Sequence, residues 1–263
     1  MDDLAIRTTG LSKVYGRAPG VRAVDQLTMD VPRGVVFGFL GPNGAGKSTT
    51  LKMLTGLLKP TEGTATVAGH DILAQSIEVK RRIGVVPENL NLYERLTANE
   101  YLELVGRLRG LGAADITSRR QQLLETLDLA DRSDNPSVDY SHGMKKKLAL
   151  AGALLHRPEI LFLDEPFEGV DAVSSRVIKD LLRQMVDRRG VTVFFSTHIM
   201  ELVERMADIV AVINKGHLVA TGTLDMLRQQ AASDGDASLE DVFLDLVNAE
   251  LAEQDMSWLT SGA

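Results

Sequence analysis

The chain has 263 residues, is 44% hydrophobic, carries a formal net charge of −7 and contains no cysteine. It is long enough to bury one large core, or a core with a small lobe. The lack of cysteine excludes disulfides and thiolate metal sites and suits a reducing cytoplasm, while the acidic balance argues against broad nucleic-acid binding.

Targeting signals are not evident in the sequence. The first residues are neither basic nor followed by an apolar run, so we expect no secretory signal peptide. No uncharged stretch is long enough to form a transmembrane helix.

The N-terminal part of the chain is rich in strand-forming residues. Residues 4 to about 40, together with residues 63–67 and the turn Ala68-Gly69, predict an antiparallel sheet that lies beside a second, central core.

A phosphate-binding loop follows the apolar strand predicted at residues 35–40 and precedes helical residues 50–54. Its sequence fits G-x-x-x-x-G-K-[ST]. Glycines let backbone N–H groups surround phosphate oxygens, Lys47 is expected to reach the β- and γ-phosphates, and the Ser48 hydroxyl is expected to ligate Mg²⁺. The expected phosphate-binding residues are Gly41, Pro42, Asn43, Gly44, Ala45, Gly46, Lys47, Ser48 and Thr49.

A helical region is predicted from about residue 91 to 157. Thr97 and Glu100 form a capping-box pattern at the start of one helix, and leucines at 123, 124, 127 and 129 mark a second. Residues 140–144 indicate a further helix start with Ser141 as the N-cap. The lysines at 145–147 are expected to form a solvated face.

Polar side chains end two further apolar strands. Asp164 and Glu165 follow the strand predicted at residues 159–163, and His198 ends the strand at residues 191–197. Because parallel strands present their carboxyl ends to one crevice, these groups are expected near the phosphate loop. Asp164 would hold Mg²⁺ and Glu165 would polarise the attacking water. The simpler alternatives are a strand-ending acidic turn and a structural histidine.

The remaining segments close this core. Strands are predicted at residues 209–213 and 217–220, joined by the turn at residues 214–216. Residues 231–237 indicate a linker, and an amphipathic helix is expected from Ser238.

In this order, the phosphate loop, residues 140–144, Asp164-Glu165, residues 168–171 and His198 resemble the ATP-binding subunit of an ABC transporter. The resemblance covers roughly residues 4 to 247. It implies that two subunits, either identical or similar, sandwich each ATP between the phosphate loop of one and the serine–glycine signature of the other.

The resemblance implies further site residues. Ser141 and Gly143 would contact the γ-phosphate bound to the partner subunit, and Tyr15 would stack on adenine unless it is only a packing residue. Glu88 stands where the family commonly has glutamine, and we expect it to hold Mg²⁺ or the water. Asp171 would lie at the dimer interface, although a helix cap is an equally simple role.

These observations predict an α/β fold: a P-loop NTPase core with a mostly parallel, doubly wound sheet, an N-terminal antiparallel β part and a helical subdomain at about 91–157. The nucleotide-binding domain would span residues 1–233 and a helical tail residues 234–263. The tail and the Ser-His-Gly-Met signature resemble the export-type branch, so we expect export of a drug, lipid, polysaccharide or peptide rather than import.

The expected function is ATP hydrolysis that powers export through separate integral-membrane permease subunits, with the protein held at the inner face of the cell membrane. One alternative is a soluble ABC ATPase acting on ribosomes or DNA; such proteins usually carry fused nucleotide domains or long insertions, which this chain lacks. The other alternative is a regulatory module that binds ATP without hydrolysing it. The presence of the expected catalytic and metal-binding residues argues against this alternative; they are Lys47, Asp164, Glu165 and His198.

Overall fold

The computed structural model describes residues 3–17 and 20–230. Ten strands are described within these residues. They are β1 (Leu4–Tyr15), β2 (Val21–Pro32), β3 (Val36–Leu40), β4 (Glu62–Val67), β5 (His70–Asp71), β6 (Ile83–Val86), β7 (Ile160–Asp164), β8 (Thr192–Thr197), β9 (Ile209–Asn214) and β10 (His217–Gly222).

Eight α-helices accompany the strands over the same residues, with two short 3-10 helices at Ala130–Arg132 and Ser137–Asp139. The helices are α1 (Lys47–Leu54), α2 (Ser76–Arg82), α3 (Ala98–Leu108), α4 (Ala113–Thr126), α5 (His142–Leu154), α6 (Ala172–Arg189), α7 (Met200–Met206) and α8 (Leu224–Gln230). Within the described part of the chain, none of the helices is both long and apolar enough to cross a membrane.

The strands form two sheets. The first has the order β2-β1-β4-β5 and is antiparallel. The second has the order β10-β9-β3-β8-β7-β6, in which the five strands from β9 to β6 run parallel and β10 pairs antiparallel with β9. The predicted fold class, with a mostly parallel core sheet and an antiparallel N-terminal part, is confirmed.

The central strands are buried on both faces, which explains their continuous apolar sequences. Their side chains alternate between two core clusters. Phe194 packs on one face, with its ring centroid 5.3–5.5 Å from those of Phe37, Phe39 and Phe162. Phe195 packs in the cluster on the other face. Because successive side chains of a strand point to opposite faces of the sheet, each central strand contributes to the core on both faces.

The register of the parallel strands aligns their carboxyl ends. Leu40 of β3 lies beside Thr197 of β8, and Ser196 of β8 lies beside Asp164 of β7. The loops that leave these three strands therefore start side by side.

Local capping signals identified the starts of three helices correctly, including α5, which Ser141 caps. Thr97 and Glu100 form the expected capping box on α3. Asp171 caps α6 by accepting a hydrogen bond from the Ser174 N–H, so its capping role is realised in the single chain. The expected linker at residues 231–237 and the helix from Ser238 lie outside the described residues.

The expectation that residues 145–147 form a solvated face is wrong. Lys146 and Lys147 are only 3% and 4% exposed. The reason is that α5 packs on nearly all sides: every residue from Lys146 to Leu154 is buried. Lysine tolerates this position because its long apolar stem is buried while its ammonium reaches polar atoms.

One half-buried histidine, His156, lies where the helical layer meets the sheet. Nε2 of His156 lies 2.9 Å from the carbonyl oxygen of Ile83, and its Nδ1 is buried without a hydrogen-bond partner among the described residues. Burial, and secondarily the positive charge of Arg109, lowers the pKa of His156 from 6.5 to about 4. The imidazole is therefore neutral near pH 7.

This depressed pKa predicts a pH-dependent stability. Between pH 6.5 and about 4 the unfolded chain binds a proton at His156 that the folded chain does not, so acidification favours unfolding. We expect His156→Gln, which cannot be protonated, to show a smaller decrease in melting temperature over this interval than the wild type. Parallel thermal melts check this, and identical pH slopes in the two proteins would contradict it.

Candidate functional site

The phosphate loop joins β3 to α1 and depends on two glycines. Gly46 has a φ of 105° and Gly44 a φ of 82°, both in the left-handed region that favours glycine. A Cβ on Gly46 would also collide with the carbonyl oxygen of Ala23 on β2. The loop is held on its other side by the Gly216 N–H, which donates to the Ala45 carbonyl at 3.0 Å.

Lys47 lies at the first turn of α1 and points back over the loop. Its Nζ donates to the carbonyl oxygens of Gly41 at 2.7 Å and Pro42 at 3.2 Å, and lies 3.3 Å from Oε1 of Glu165. The side chains of Lys47 and Glu165 are only 6% and 7% exposed. This is a buried ion pair, and the added carbonyl contacts supply the hydrogen bonds that such a pair requires.

Asp164 ends β7 beside the loop. Its Oδ1 accepts from the Ser48 hydroxyl at 3.3 Å and from the Ser196 hydroxyl of β8. The three side chains come from three different segments, so the carboxylate links the phosphate loop to two neighbouring strands. The structure thus brings together Ser48 and Asp164, two of the three residues that were predicted to hold Mg²⁺; Glu88 is the third.

Glu165 is the next residue and is held in an unusual conformation. Its φ is 45°, a left-handed backbone that costs a non-glycine residue about 1 kcal/mol or more. The Glu165 N–H donates to the carbonyl oxygen of Ser196 at 3.2 Å, and its Oε1 lies 3.1 Å from Nδ1 of His198. Strain of this kind persists only where several contacts enforce it, which is common at functional sites.

The phosphate loop, Glu165 and His198 open onto one cavity of about 330 Å³. It contains most of the expected phosphate-loop residues together with Glu88, Glu165 and His198. Its lining residues are Ala23, Asn43, Gly44, Gly46, Lys47, Ser48, Thr49, Glu88, Glu165, Glu168 and His198. A larger cavity of about 640 Å³ lies where β3, β7 and β8 begin and is lined by several arginines. It contains none of the predicted site residues, so the smaller cavity is the functional candidate.

Lys146 approaches the same region from α5. Its Nζ donates to the carbonyl oxygen of Glu165 at 2.9 Å and lies 3.4 Å from that of Glu88. Burial lowers the pKa of Lys146, and the surrounding carboxylates, led by Glu168 and Glu88, oppose this by stabilising the ammonium.

Seven predicted site residues do not line this cavity. Gly41, Pro42, Ala45 and Asp164 lie within two positions of lining residues in the chain, whereas Tyr15, Ser141 and Gly143 belong to other segments. Tyr15 ends β1 with 42% of its surface exposed, and the Lys13 Nζ lies 5.5 Å from its ring centroid. Ser141 is exposed and caps α5 by accepting from the Met144 N–H at 3.2 Å. Gly143 is buried, and a Cβ there would meet Asp171 and Ser174. Among the described residues of the single chain, none of these three lines the cavity.

Sequence reasoning missed three residues that the structure places at the site. Ser196 bonds Asp164, Glu168 lines the cavity, and Lys146 bonds the carbonyl of Glu165. A hydroxyl near the carboxyl end of a parallel strand was a usable signal for Ser196. Lys146 gave no comparable signal, because a lysine beside two others on a helix usually indicates solvent exposure.

Comparison with known proteins agrees with this geometry. The ABC transporter family profile matches residues 24–168. The chain is 42% identical to the daunorubicin/doxorubicin resistance ATP-binding protein DrrA of Streptomyces peucetius, over 88% of this chain and 68% of that protein. It is 36% identical to the bacitracin transport ATP-binding protein BcrA of Bacillus licheniformis, over 86% of this chain and 72% of that protein.

Solved structures give the same result. An ATP-binding subunit of an ABC transporter superposes with a TM-score of 0.84 and 31% identity, covering 92% of this chain and 99% of that one. A bacterial ABC transporter cassette solved as a dimer has a TM-score of 0.75 and 27% identity, covering 83% of this chain and 98% of its own. Both the sequence relatives and the solved structures therefore carry the same ATP-binding cassette, and the chain belongs to the ABC transporter family of ATP-binding proteins.

Proposed function

We propose that this ABC ATPase binds MgATP in the 330 Å³ cavity and hydrolyses it to drive export through separate membrane subunits. The observation that carries the proposal is the convergence of the phosphate loop, Glu165 and His198 on that one cavity. The loop N–H groups and the N-terminus of α1 favour phosphate oxygens, and the Lys47 ammonium lies beside them. In the proposed complex, the β- and γ-phosphates replace Glu165 as the partner of Lys47.

The residues present fit Mg²⁺. Ser48 and Asp164 already place a hydroxyl and a carboxylate oxygen 3.3 Å apart, and Glu88 lines the same cavity. Mg²⁺ prefers a few protein oxygens combined with phosphate oxygens and water, rather than a cage built by the protein alone. This agrees with the described residues, where no group of three or more His, Cys, Asp or Glu is arranged as a metal site. When bound, Mg²⁺ would neutralise charge that develops on the phosphates.

Glu165 is the proposed general base. Its carboxylate opens on the cavity, and the contact to Nδ1 of His198 orients it once the phosphates have replaced it as the partner of Lys47. A base must lie within hydrogen-bond reach of the attacking water, so a fixed carboxylate is an advantage. His198 is proposed to hold Glu165 and, being 38% exposed, to contact the γ-phosphate.

Each site would be completed by a second subunit. Ser141 is exposed at the start of α5, where helix N–H groups favour an anion, yet it does not line the cavity of its own chain. We therefore propose that Ser141 and Gly143 contact the γ-phosphate bound to a partner cassette, in a homodimer or a pair with a similar subunit. The dimeric bacterial cassette supports this arrangement.

Tyr15 is proposed to stack on adenine. Its exposed ring lies at the end of β1, and β2, the strand paired with it, contributes Ala23 to the cavity. A flat aromatic face next to the phosphate site suits a purine base.

The membrane partner is proposed to bind where the helical region meets the nucleotide core. Tyr93 and Val138 are 62% and 53% exposed. Their segments are joined, because the Val138 N–H donates to the Glu94 carbonyl at 2.8 Å. An exposed apolar pair of this kind suits an interface, and the drug-resistance and bacitracin-transport relatives support export of a drug-like compound. The protein would then lie on the cytoplasmic face of the membrane, held by permease subunits.

The first prediction separates binding from chemistry. Lys47→Met removes the ammonium but keeps the buried stem, and should weaken ATP binding because a phosphate-paired charge is lost. Glu165→Gln and His198→Ala should bind ATP normally, with turnover reduced about a hundredfold in Glu165→Gln. Equilibrium nucleotide binding and steady-state ATPase assays distinguish these effects. An equal loss of ATP affinity in all three variants would show that the proposed roles are wrong.

The second prediction concerns dimerisation. Glu165→Gln with MgATP should form a stable dimer by size-exclusion chromatography, because ATP persists between the subunits. Adding Ser141→Asp should abolish the dimer, since the new charge repels phosphate while aspartate still caps α5. Ser141→Asn is the matched control, because it also caps the helix and stays neutral. A Ser141→Asp dimer as strong as that of the asparagine variant would exclude the proposed contact.

The third prediction concerns the membrane partner. Tyr93→Ser should reduce co-purification with the membrane subunits while ATP affinity of the isolated protein persists. The neighbouring Leu92 is left unchanged, because it packs against the core. Met226→Ser is the control, since Met226 is 52% exposed on α8, which contacts β10 at the opposite edge of the sheet from β6. Full co-purification of the Tyr93 variant would place the interface elsewhere.

A further inference from the structure

Lys146 is a buried cation that contacts the backbone of two site segments. It is 3% exposed, and its Nζ is 2.9 Å from the Glu165 carbonyl oxygen and 3.4 Å from that of Glu88. Burying an ammonium is unfavourable unless its hydrogens find acceptors. These two carbonyl groups provide acceptors, and they belong to the segments that carry the proposed base and the proposed extra metal ligand.

The Glu165 carbonyl belongs to the residue with a left-handed backbone. This conformation requires support from surrounding contacts. The N–H side is supported by Ser196 of β8, and the carbonyl side by Lys146 of α5, with a longer contact from the Glu168 N–H at 3.4 Å. The 2.9 Å bond to a charged donor is the stronger of the two carbonyl contacts, because charge-assisted hydrogen bonds exceed neutral ones.

The neighbouring lysine extends this connection. Lys145 Nζ lies 2.9 Å from Oε1 of Glu94, at the other end of the segment that begins with Glu88. The first turns of α5 thus contact the segment 88–94 at both ends and the catalytic loop at one point. Tyr93, on the proposed membrane-partner surface, belongs to the same segment.

We propose that Lys146 is a positioning residue for ATP hydrolysis, holding Glu165 in its left-handed conformation and tying it to the Glu88 segment. The inference rests on the proposed function, in which Glu165 is the general base. Lys146 does not line the cavity, and its role is to act through the backbone of Glu165. A shift of the segment 88–94 on partner binding would reach the base through this one side chain.

Lys146→Met tests the proposal, because it keeps an apolar stem of similar length and removes the donor. Displacing a catalytic group by a fraction of its contact distance is costly, so we expect kcat to fall about tenfold or more while the dissociation constant for ATP stays at the wild-type value. Lys147→Met is the matched control. It makes the same change at the next position of α5, where the lysine is equally buried but lies 3.9 Å from Asp128, and it should retain wild-type kcat.

Three outcomes decide the matter. A folded Lys146→Met protein with wild-type kcat, or one that loses ATP affinity and kcat together, overturns the proposal. A comparable loss of kcat in Lys147→Met also overturns it, because the effect would then follow from burying methionine in α5. Glu165→Gln is measured alongside: if it retains full turnover, the proposed base role fails, whereas an inactive Glu165→Gln with active Lys146→Met rejects the positioning role alone.

A variant that does not fold is replaced by a milder one. Lys146→Gln keeps a donor, but the donor is one bond shorter and cannot reach both carbonyl oxygens. As for Lys146→Met, we expect kcat to fall while the affinity for ATP is unchanged, but the fall in kcat should be smaller. Wild-type kcat in Lys146→Gln would then count against the proposal.

Discussion

The parallel register of β3, β8 and β7 is the constraint on which the site depends. It sets Leu40 beside Thr197 and Ser196 beside Asp164, so three loops leave the sheet at neighbouring points. Hydrogen bonds between strands fix this alignment, and phenylalanines packed across the same strands prevent slippage. Lys47, Glu165 and His198, which follow these three strands, therefore lie close together at one edge of the sheet.

Charge balance is the second organising factor. Glu88, Glu165 and Glu168 line the cavity, and Asp164 precedes Glu165 in the chain; Lys47 and Lys146 supply the buried cations. Such a group of carboxylates is stable only when cations and hydrogen bonds compensate it. The arrangement suits a ligand that carries both signs, a metal cation and a polyphosphate, better than either alone.

Features encoded by short sequence stretches could be predicted. The phosphate loop, the apolar strands and the capping box on α3 each depend on neighbouring residues, and each occurs as expected. The burial of Lys146 could not be predicted, because it depends on how many sides of α5 are covered by distant elements. The roles of Ser141 and Tyr15 are still harder to predict from short sequence stretches. Ser141 is proposed to contact ATP bound to a second subunit, and Tyr15 is proposed to stack on the adenine ring.

The close packing of Gly46 on the Ala23 carbonyl has a thermodynamic consequence. The phosphate loop is clamped between β2 of the antiparallel sheet and the turn before β10, where Gly216 bonds both Ala45 and Asp25. The two sheets cannot move apart without breaking the contacts that hold the phosphate loop on one side or the other. Free energy gained when the loop binds a ligand is therefore shared with the docking of the two sheets, and the ligand-bound cassette resists local opening as one cooperative unit rather than as two layers.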